Sequence, residues 1–256
     1  MSTAITTAEP VLRLEGLTKH FTLHNQNGSR LRVFEHVNFS VYAGECVVLD
    51  GASGTGKSTL LKLIYANYRA TAGSIRLFPG SPAELELTSA PARRLIGARR
   101  ESIGYVSQFL RAIPRVPALD VVAEPLLEMT ADDAISPPEL TLGQVDHAQH
   151  SARAEAARWL RRLGIEERLW ALPPATFSGG EQQRINIARS LIKPRAVLLL
   201  DEPTASLDAA NTSIVIEIIA EARARGAAII GTFHDPTVAA AVATRRIPLN
   251  RFRVPA

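Results

Sequence analysis

The sequence predicts an α/β fold: a mostly parallel core sheet, an antiparallel β subdomain ahead of it and a helical subdomain between its two halves. Three observations point there. Apolar runs with β-branched residues, at Cys46–Asp50, Ala196–Leu200 and Ala227–Phe233, alternate with helix-like stretches, as in sheets wound by crossover helices. The first run passes straight into a glycine-rich loop. The second ends in two adjacent carboxylates, Asp201 and Glu202.

Taken in order, Met1–Pro10 has no basic start followed by an apolar core, so it reads as a disordered lead-in and not a secretory signal. Residues 11–256 are expected to form one domain. Val11–Leu17 and a turn at Gln26–Arg30 predict the antiparallel sheet. Cys46, alone in the chain and set in the run Cys46-Val-Val-Leu, reads as a buried structural thiol. One cysteine excludes a disulfide framework and a cysteine metal site, which favours the cytoplasm. A helix is predicted from about Lys57 to Tyr68. Arg93, Arg94, Arg99 and Arg100 form the densest basic cluster, on a predicted amphipathic helix, readable as a solvated face or as a docking surface for an acidic partner.

The helical subdomain is expected at about 108–174. Thr130–His150, rich in Pro, Asp and polar residues, reads as a flexible loop. Asp146, His147 and His150 fall close together there; a metal trio fits the residue types, and a solvated loop fits the surroundings better. Ser151–Leu163 has apolar positions at Ala156, Leu160 and Leu163 with Gly164 following, a helix packed on one face. A last long helix is predicted from about Ala209 to Arg225, ended by Gly226.

Composition excludes several classes. No stretch approaches the roughly 18 unbroken apolar residues that a membrane helix needs. The net charge of +4 is mild and no basic run carries interleaved aromatics, so neither membrane insertion nor a nucleic-acid track is expected. The segment Asn250–Ala256 is too short to add a regulatory domain.

Three motifs carry chemistry. Gly51-Ala52-Ser53-Gly54-Thr55-Gly56-Lys57-Ser58, followed by Thr59, fits G-x-x-x-x-G-K-[ST] between a predicted strand and a predicted helix. Its glycines let backbone N–H groups turn inward around phosphates, Lys57 can reach the β- and γ-phosphates of ATP, and Ser58 can ligate Mg²⁺. Asp201 and Glu202 stand at the carboxyl end of a buried strand, the end that faces the ligand crevice in open α/β sheets. Asp201 is placed to hold Mg²⁺ and Glu202 to polarise an attacking water. Finally, Ser178-Gly179-Gly180-Glu181-Gln182 opens a helix. Ser178 and Glu181 match a capping box, but capping does not call for two glycines, which would let another molecule's phosphate approach closely.

With these motifs in this order, the chain resembles the ABC ATPase family over nearly its whole length. The resemblance implies a P-loop NTPase fold of ABC type that binds and hydrolyses Mg-ATP. It implies further roles: Phe21 stacking on adenine (a plain core Phe being the alternative), Gln108 as the Q-loop glutamine sensing Mg²⁺, Ser206-Leu207-Asp208 as the D-loop, and His234 as the switch histidine at the γ-phosphate. It also implies a second cassette as partner, in a homodimer or a heterodimer, with each ATP between one subunit's phosphate loop and the other's signature.

Narrower segments resemble the PhnL-type ATP-binding subunits of the bacterial carbon–phosphorus lyase system: Tyr65-Ala-Asn-Tyr68, the stretch Gln108–Pro117, Pro173–Phe177 and Gly231-Thr-Phe-His-Asp235. That resemblance implies docking on a soluble carbon–phosphorus lyase core complex that makes α-D-ribose 1-methylphosphonate 5-triphosphate in phosphonate metabolism. Phe177, where Leu is usual, and Glu181, inserted before Gln182, also occur in lipoprotein-release and macrolide-export ATPases. The alternative is therefore the ATPase subunit of a membrane ABC transporter of lipoprotein-release, exporter or phosphonate-import type.

Overall fold

The computed structural model describes residues 9–23, 29–78, 84–108, 110, 115–128 and 142–252. The lead-in up to residue 8, residues 26–28 of the expected turn and residues 130–141 of the expected loop lie outside them. Strands β1 (Leu12–Leu23) and β2 (Ser29–Val41) pair antiparallel, with Phe21 opposite Leu31. β4 (Ala72–Leu77) and β5 (Leu85–Glu86) complete a four-stranded antiparallel sheet in the order β2-β1-β4-β5.

The second sheet has five strands in the order β6-β7-β8-β3-β9, paired parallel throughout. These are β3 (Cys46–Asp50), β6 (Ile103–Val106), β7 (Val197–Asp201), β8 (Ala228–Thr232) and β9 (Arg245–Pro248). Alternate residues of each strand feed opposite faces. Cys46, Val48, Leu198, Leu200 and Ile229 join the helical side, while Val47, Leu49, Val197, Leu199 and Ile230 join the side that includes α1 and the antiparallel sheet. Cys46 is fully buried, and burial pushes its thiol up to about 12.

The helices are α1 (Lys57–Ile64), α2 (Ala92–Glu101), α3 (Ala118–Leu127), α4 (Leu142–Arg162), α5 (Gly179–Leu191), α6 (Ala209–Ala224) and α7 (Pro236–Val242). Two expectations need correcting. α1 stops at Ile64, short of Tyr68: Ala66 turns to φ 57° and Arg99 of α2 donates from Nε to the Tyr65 carbonyl and from Nη2 to that of Ala66. Part of the arginine cluster thus caps a helix C-terminus, a favourable place for a cation; Arg93 and Arg94 are exposed. α4 begins at Leu142, inside the stretch read as loop. Its residues 146–150 are all exposed, so no apolar stripe announces the helix. Asp146, His147 and His150 lie on this solvated turn, and no group of three such side chains among the described residues could hold a metal ion. No helix among them is long and apolar enough to cross a membrane.

Candidate functional site

The loop from Gly51 to Gly56 joins buried β3 to α1, and its shape depends on positive φ at Gly51 (151°), Gly54 (79°) and Gly56 (96°). Gly56 is the tightest of these. A Cβ there would stand 2.5 Å from Val33 Cγ1 and 3.0 Å from Phe34 Cδ1. Thr55 is buried under the loop and donates from Oγ1 to the Ala52 carbonyl at 2.9 Å. Gly51, Ala52, Ser53 and Gly54 are exposed. Lys57 folds back, Nζ donating to the carbonyls of Gly51 (2.5 Å) and Ala52 (3.0 Å). Among the described residues no carboxylate pairs with this cation. Thr59 lies half-buried in the first turn of α1.

Gly56→Ala is expected to destabilise the fold by about 2–4 kcal/mol, from left-handed strain plus overpacking. A fall of several degrees in the thermal midpoint would register it.

Asp201 is the hub. It is 3% exposed, and Oδ1 accepts from Ser58 Oγ at 2.8 Å and from Thr232 Oγ1 at 3.2 Å. Its Oδ2 accepts from Tyr105 OH at 3.0 Å. Parallel pairing makes this convergence: Asp201 stands opposite Thr232 on β8, and Tyr105 of β6 stands opposite Leu199 of β7. The motifs singled out neither Tyr105 nor Thr232. Thr232 had a visible signal, a polar residue closing an apolar strand; Tyr105 had none beyond its nearness to Gln108.

Glu202, next in the chain, adopts φ 52°, and its N–H is shared between Thr232 O (3.1 Å) and Thr232 Oγ1 (3.0 Å). A non-glycine residue held in this region stores strain of order 1–3 kcal/mol, a cost concentrated at functional sites. Gln108 is exposed just beyond β6 and shares the wall of a cavity of about 730 Å³ with Ser58, Tyr105 and Asp201. Two expected members stand apart from the cluster. His234 is exposed two residues past Thr232, with no hydrogen bond to it. Phe21, half-buried on β1, packs edge-on to Tyr68 with ring centroids 5.5 Å apart and carries Lys19 Nζ 4.4 Å from its centroid.

The segment Ser178–Glu181 forms the full capping box at the start of α5: Glu181 N–H donates to Ser178 Oγ, and Glu181 Oε2 accepts from Ser178 N–H at 2.9 Å. A Cβ at Gly179 would meet nothing within 4 Å, leaving open approach. One at Gly180 would stand 3.0 Å from the Ser206 carbonyl, so this glycine also serves close packing on the segment after Glu202. Asp208 caps α6 by accepting from Asn211 N–H at 2.8 Å. No hydrogen bond or ion pair among the described residues joins Ser178–Glu181 to Gly51–Ser58.

The bonds from the Ser178 hydroxyl and N–H hold the Glu181 carboxyl below the usual carboxylate range. The cap is therefore complete above the unfolded value of about 4.3 and is lost as pH falls through the lowered folded value. Amide-exchange protection of the first turn of α5 should fall over that acid range, and Glu181→Gln should remove the pH dependence.

A family model described as ABC transporter matches residues 34–205, from β2 through the phosphate loop and signature to the segment after Glu202. The chain belongs to the ABC transporter family. Its fold is that of the ABC cassette: the dimeric structure of the cassette MJ0796 bound to ADP and Pi superposes with a TM-score of 0.75 at 26% identity, covering 90% of this chain and 91% of that one. Among curated relatives, a probable export ATP-binding/permease protein of Pseudomonas fluorescens is 34% identical over 233 residues, 91% of this chain and 32% of the relative. The macrolide export ATP-binding/permease protein MacB of Escherichia coli K12 is 33% identical over 231 residues, 90% of this chain and 32% of the relative. The chain thus spans about a third of the length of these relatives. They are export proteins and not PhnL-type subunits, so membership stands at the level of the cassette.

Proposed function

We propose that this cassette binds Mg-ATP on Gly51–Thr59 and hydrolyses it in a head-to-tail dimer, in which the partner's signature covers each phosphate loop. The observation carrying this is the convergence on buried Asp201 of Ser58 from the loop, with the strained Glu202 beside it.

The residues fit the nucleotide and its metal. A serine hydroxyl and a carboxylate oxygen 2.8 Å apart are the hard oxygen ligands that Mg²⁺ takes. Ser58 and Asp201 would hold the ion, with Gln108 reaching it from the cavity wall. Bound Mg²⁺ supplies charge neutralisation at the β- and γ-phosphate oxygens. Lys57, bonded among the described residues to the Gly51 and Ala52 carbonyls, would exchange these for phosphate oxygens. The backbone N–H groups of the glycine-rich loop and the N-terminus of α1 would favour the same anion. Glu202 takes the proton of the attacking water, and His234 orients toward the γ-phosphate. Phe21 offers a face to the adenine, with Lys19 behind the ring. Ser178, Gly179, Gly180 and Glu181 serve the partner's nucleotide, with Asp208 and the Ser206–Asp208 loop lining the interface.

That dimeric MJ0796 was captured with ADP and Pi supports a two-cassette reading for this chain. Residues 11–256 are taken as one ATP-binding domain with its helical subdomain at about 108–174, acting in the cytoplasm.

For the task that hydrolysis drives, we favour the accessory ATPase of the carbon–phosphorus lyase core complex in phosphonate metabolism. The support is the resemblance of the segments at 65–68, 108–117, 173–177 and 231–235 to PhnL-type subunits. Nothing among the site residues suggests glycosyl transfer, so the role is that of a motor or gate. The second reading is a membrane transporter ATPase, supported by the export relatives. Their match covers only a cassette's length, so it carries over the ATP machinery more directly than the permease partner.

An affinity pull-down of the Glu202→Gln protein with Mg-ATP from phosphate-starved cells separates the two. Recovery of soluble carbon–phosphorus lyase subunits, lost with Lys57→Ala, is the expected result. Recovery of a polytopic membrane protein instead would make the cassette a transporter motor.

A further inference from the structure

Helix α5 begins at the signature and then runs beneath the catalytic segments. Gln183, Asn186 and Ser190 stand at i, i+3 and i+7, so they share one face of it. Such a polar stripe is out of place on the buried side of a helix: Gln183 is 4% and Asn186 5% exposed. Burying these amides is costly unless each is bonded.

Every one of the three is bonded to a main-chain carbonyl of the site's frame. Gln183 Nε2 donates to Pro203 O at 3.1 Å, Asn186 Nδ2 to Ser107 O at 2.6 Å, and Ser190 Oγ to Tyr105 O at 3.0 Å. The first two are linked, Asn186 Nδ2 reaching Gln183 Oε1 at 3.4 Å. Pro203 follows Glu202 and Ser107 precedes Gln108, while Tyr105 bonds Asp201 through its hydroxyl. A buried chain of polar groups therefore runs from the residue before Gln108, through one helix, to the residue after Glu202.

We propose that Asn186 is a positioning residue for turnover, fixing Gln108 through the Ser107 carbonyl in register with Glu202 through Gln183 and Pro203. This rests on the roles given to Gln108 and Glu202 above. The physical consequence is that both residues move with α5, the helix whose first turn carries Ser178–Gly180. Engagement of the partner's nucleotide at that turn is then felt at the chain's own Gln108 and Glu202 together.

The test uses the full chain with Asn186→Leu, which removes the donor. Asn186→Asp, which keeps the volume and puts an acceptor against the Ser107 carbonyl, is the second variant should the first fail to fold. Expected is a kcat loss of ~10-fold or more with KM for Mg-ATP nearly unchanged, since misplacement away from the chemistry acts on the reacting geometry. In a Gln108→Ala background the same substitution should change kcat by less than about twofold, because residues acting through one another are not additive. Independently of turnover, backbone amides at 105–108 should exchange faster in either variant without nucleotide. An unchanged kcat, or a loss of equal size in the Gln108→Ala background, overturns the proposal. Absence of hydrolysis by the wild-type protein would instead strike at the function proposed above; the exchange rates at 105–108 then decide the role of Asn186, and unchanged rates overturn it.

Discussion

Glu202→Gln is expected to lower the ATPase rate by about 10²- to 10⁴-fold, the usual contribution of a general base, while leaving the affinity for Mg-ATP within about threefold of wild type. The reasoning is geometric before it is chemical. Glu202 sits at φ 52°, with its N–H anchored to both acceptors of Thr232. Those restraints act on the backbone and survive the change. The amide keeps the shape of the carboxylate but takes up no proton, so the chemical step is lost and the nucleotide contacts of Gly51–Ser58 are not. Trapped ATP should then hold two cassettes together. Size-exclusion chromatography with Mg-ATP should show a dimer for Glu202→Gln that disperses with Mg-ADP. Wild-type hydrolysis rates in this variant would remove Glu202 from the role of base.

The same residue shows what a sequence can and cannot disclose. That two carboxylates close a buried strand is readable, because β7 is apolar from Val197 to Leu200 and its end must face the crevice. The strain at Glu202 is not readable, because it is imposed by Thr232 on a neighbouring strand 30 positions away. Tyr105 is hidden for the same reason: its bond to Asp201 depends on the register between β6 and β7. Local chemistry at Gly51–Ser58 and the Ser178–Glu181 box was legible because every participant lies within a few residues. α4 was only half legible. Its apolar half announces a helix, and its solvated half, residues 143–150, has composition but no period. The premature end of α1 was legible in neither way, since Arg99 reaches it from another helix. The polar stripe of α5 could be counted in the sequence, but its partners could not be named without the fold.

Asp201→Asn should separate the metal from the fold. The carboxylate accepts three hydroxyls, two on Oδ1 and one on Oδ2. An amide oxygen in the Oδ1 position can still accept from Ser58 and Thr232, and its NH₂ then faces the Tyr105 oxygen, which is able to accept. No buried group need be left unsatisfied, so the thermal midpoint should shift by only a few degrees, within ~1 kcal/mol of stability. What is lost is the negative charge. The Mg²⁺ concentration for half-maximal turnover should rise ~10-fold or more, with ATP binding in the absence of Mg²⁺ unchanged, because a neutral carbonyl is a weaker ligand for a hard cation than a carboxylate. Asp201→Ala makes the contrast: it orphans three hydroxyls and should cost stability as well, by ~1–3 kcal/mol for each group that water cannot reach. If Asp201→Asn instead melts early at an unchanged Mg²⁺ requirement, the hydroxyl cluster is a structural knot, and the metal must find its protein ligands elsewhere than at Asp201. A raised Mg²⁺ requirement at an unchanged midpoint places the ion at Asp201, the carboxylate that Ser58, Tyr105 of β6 and Thr232 of β8 all reach.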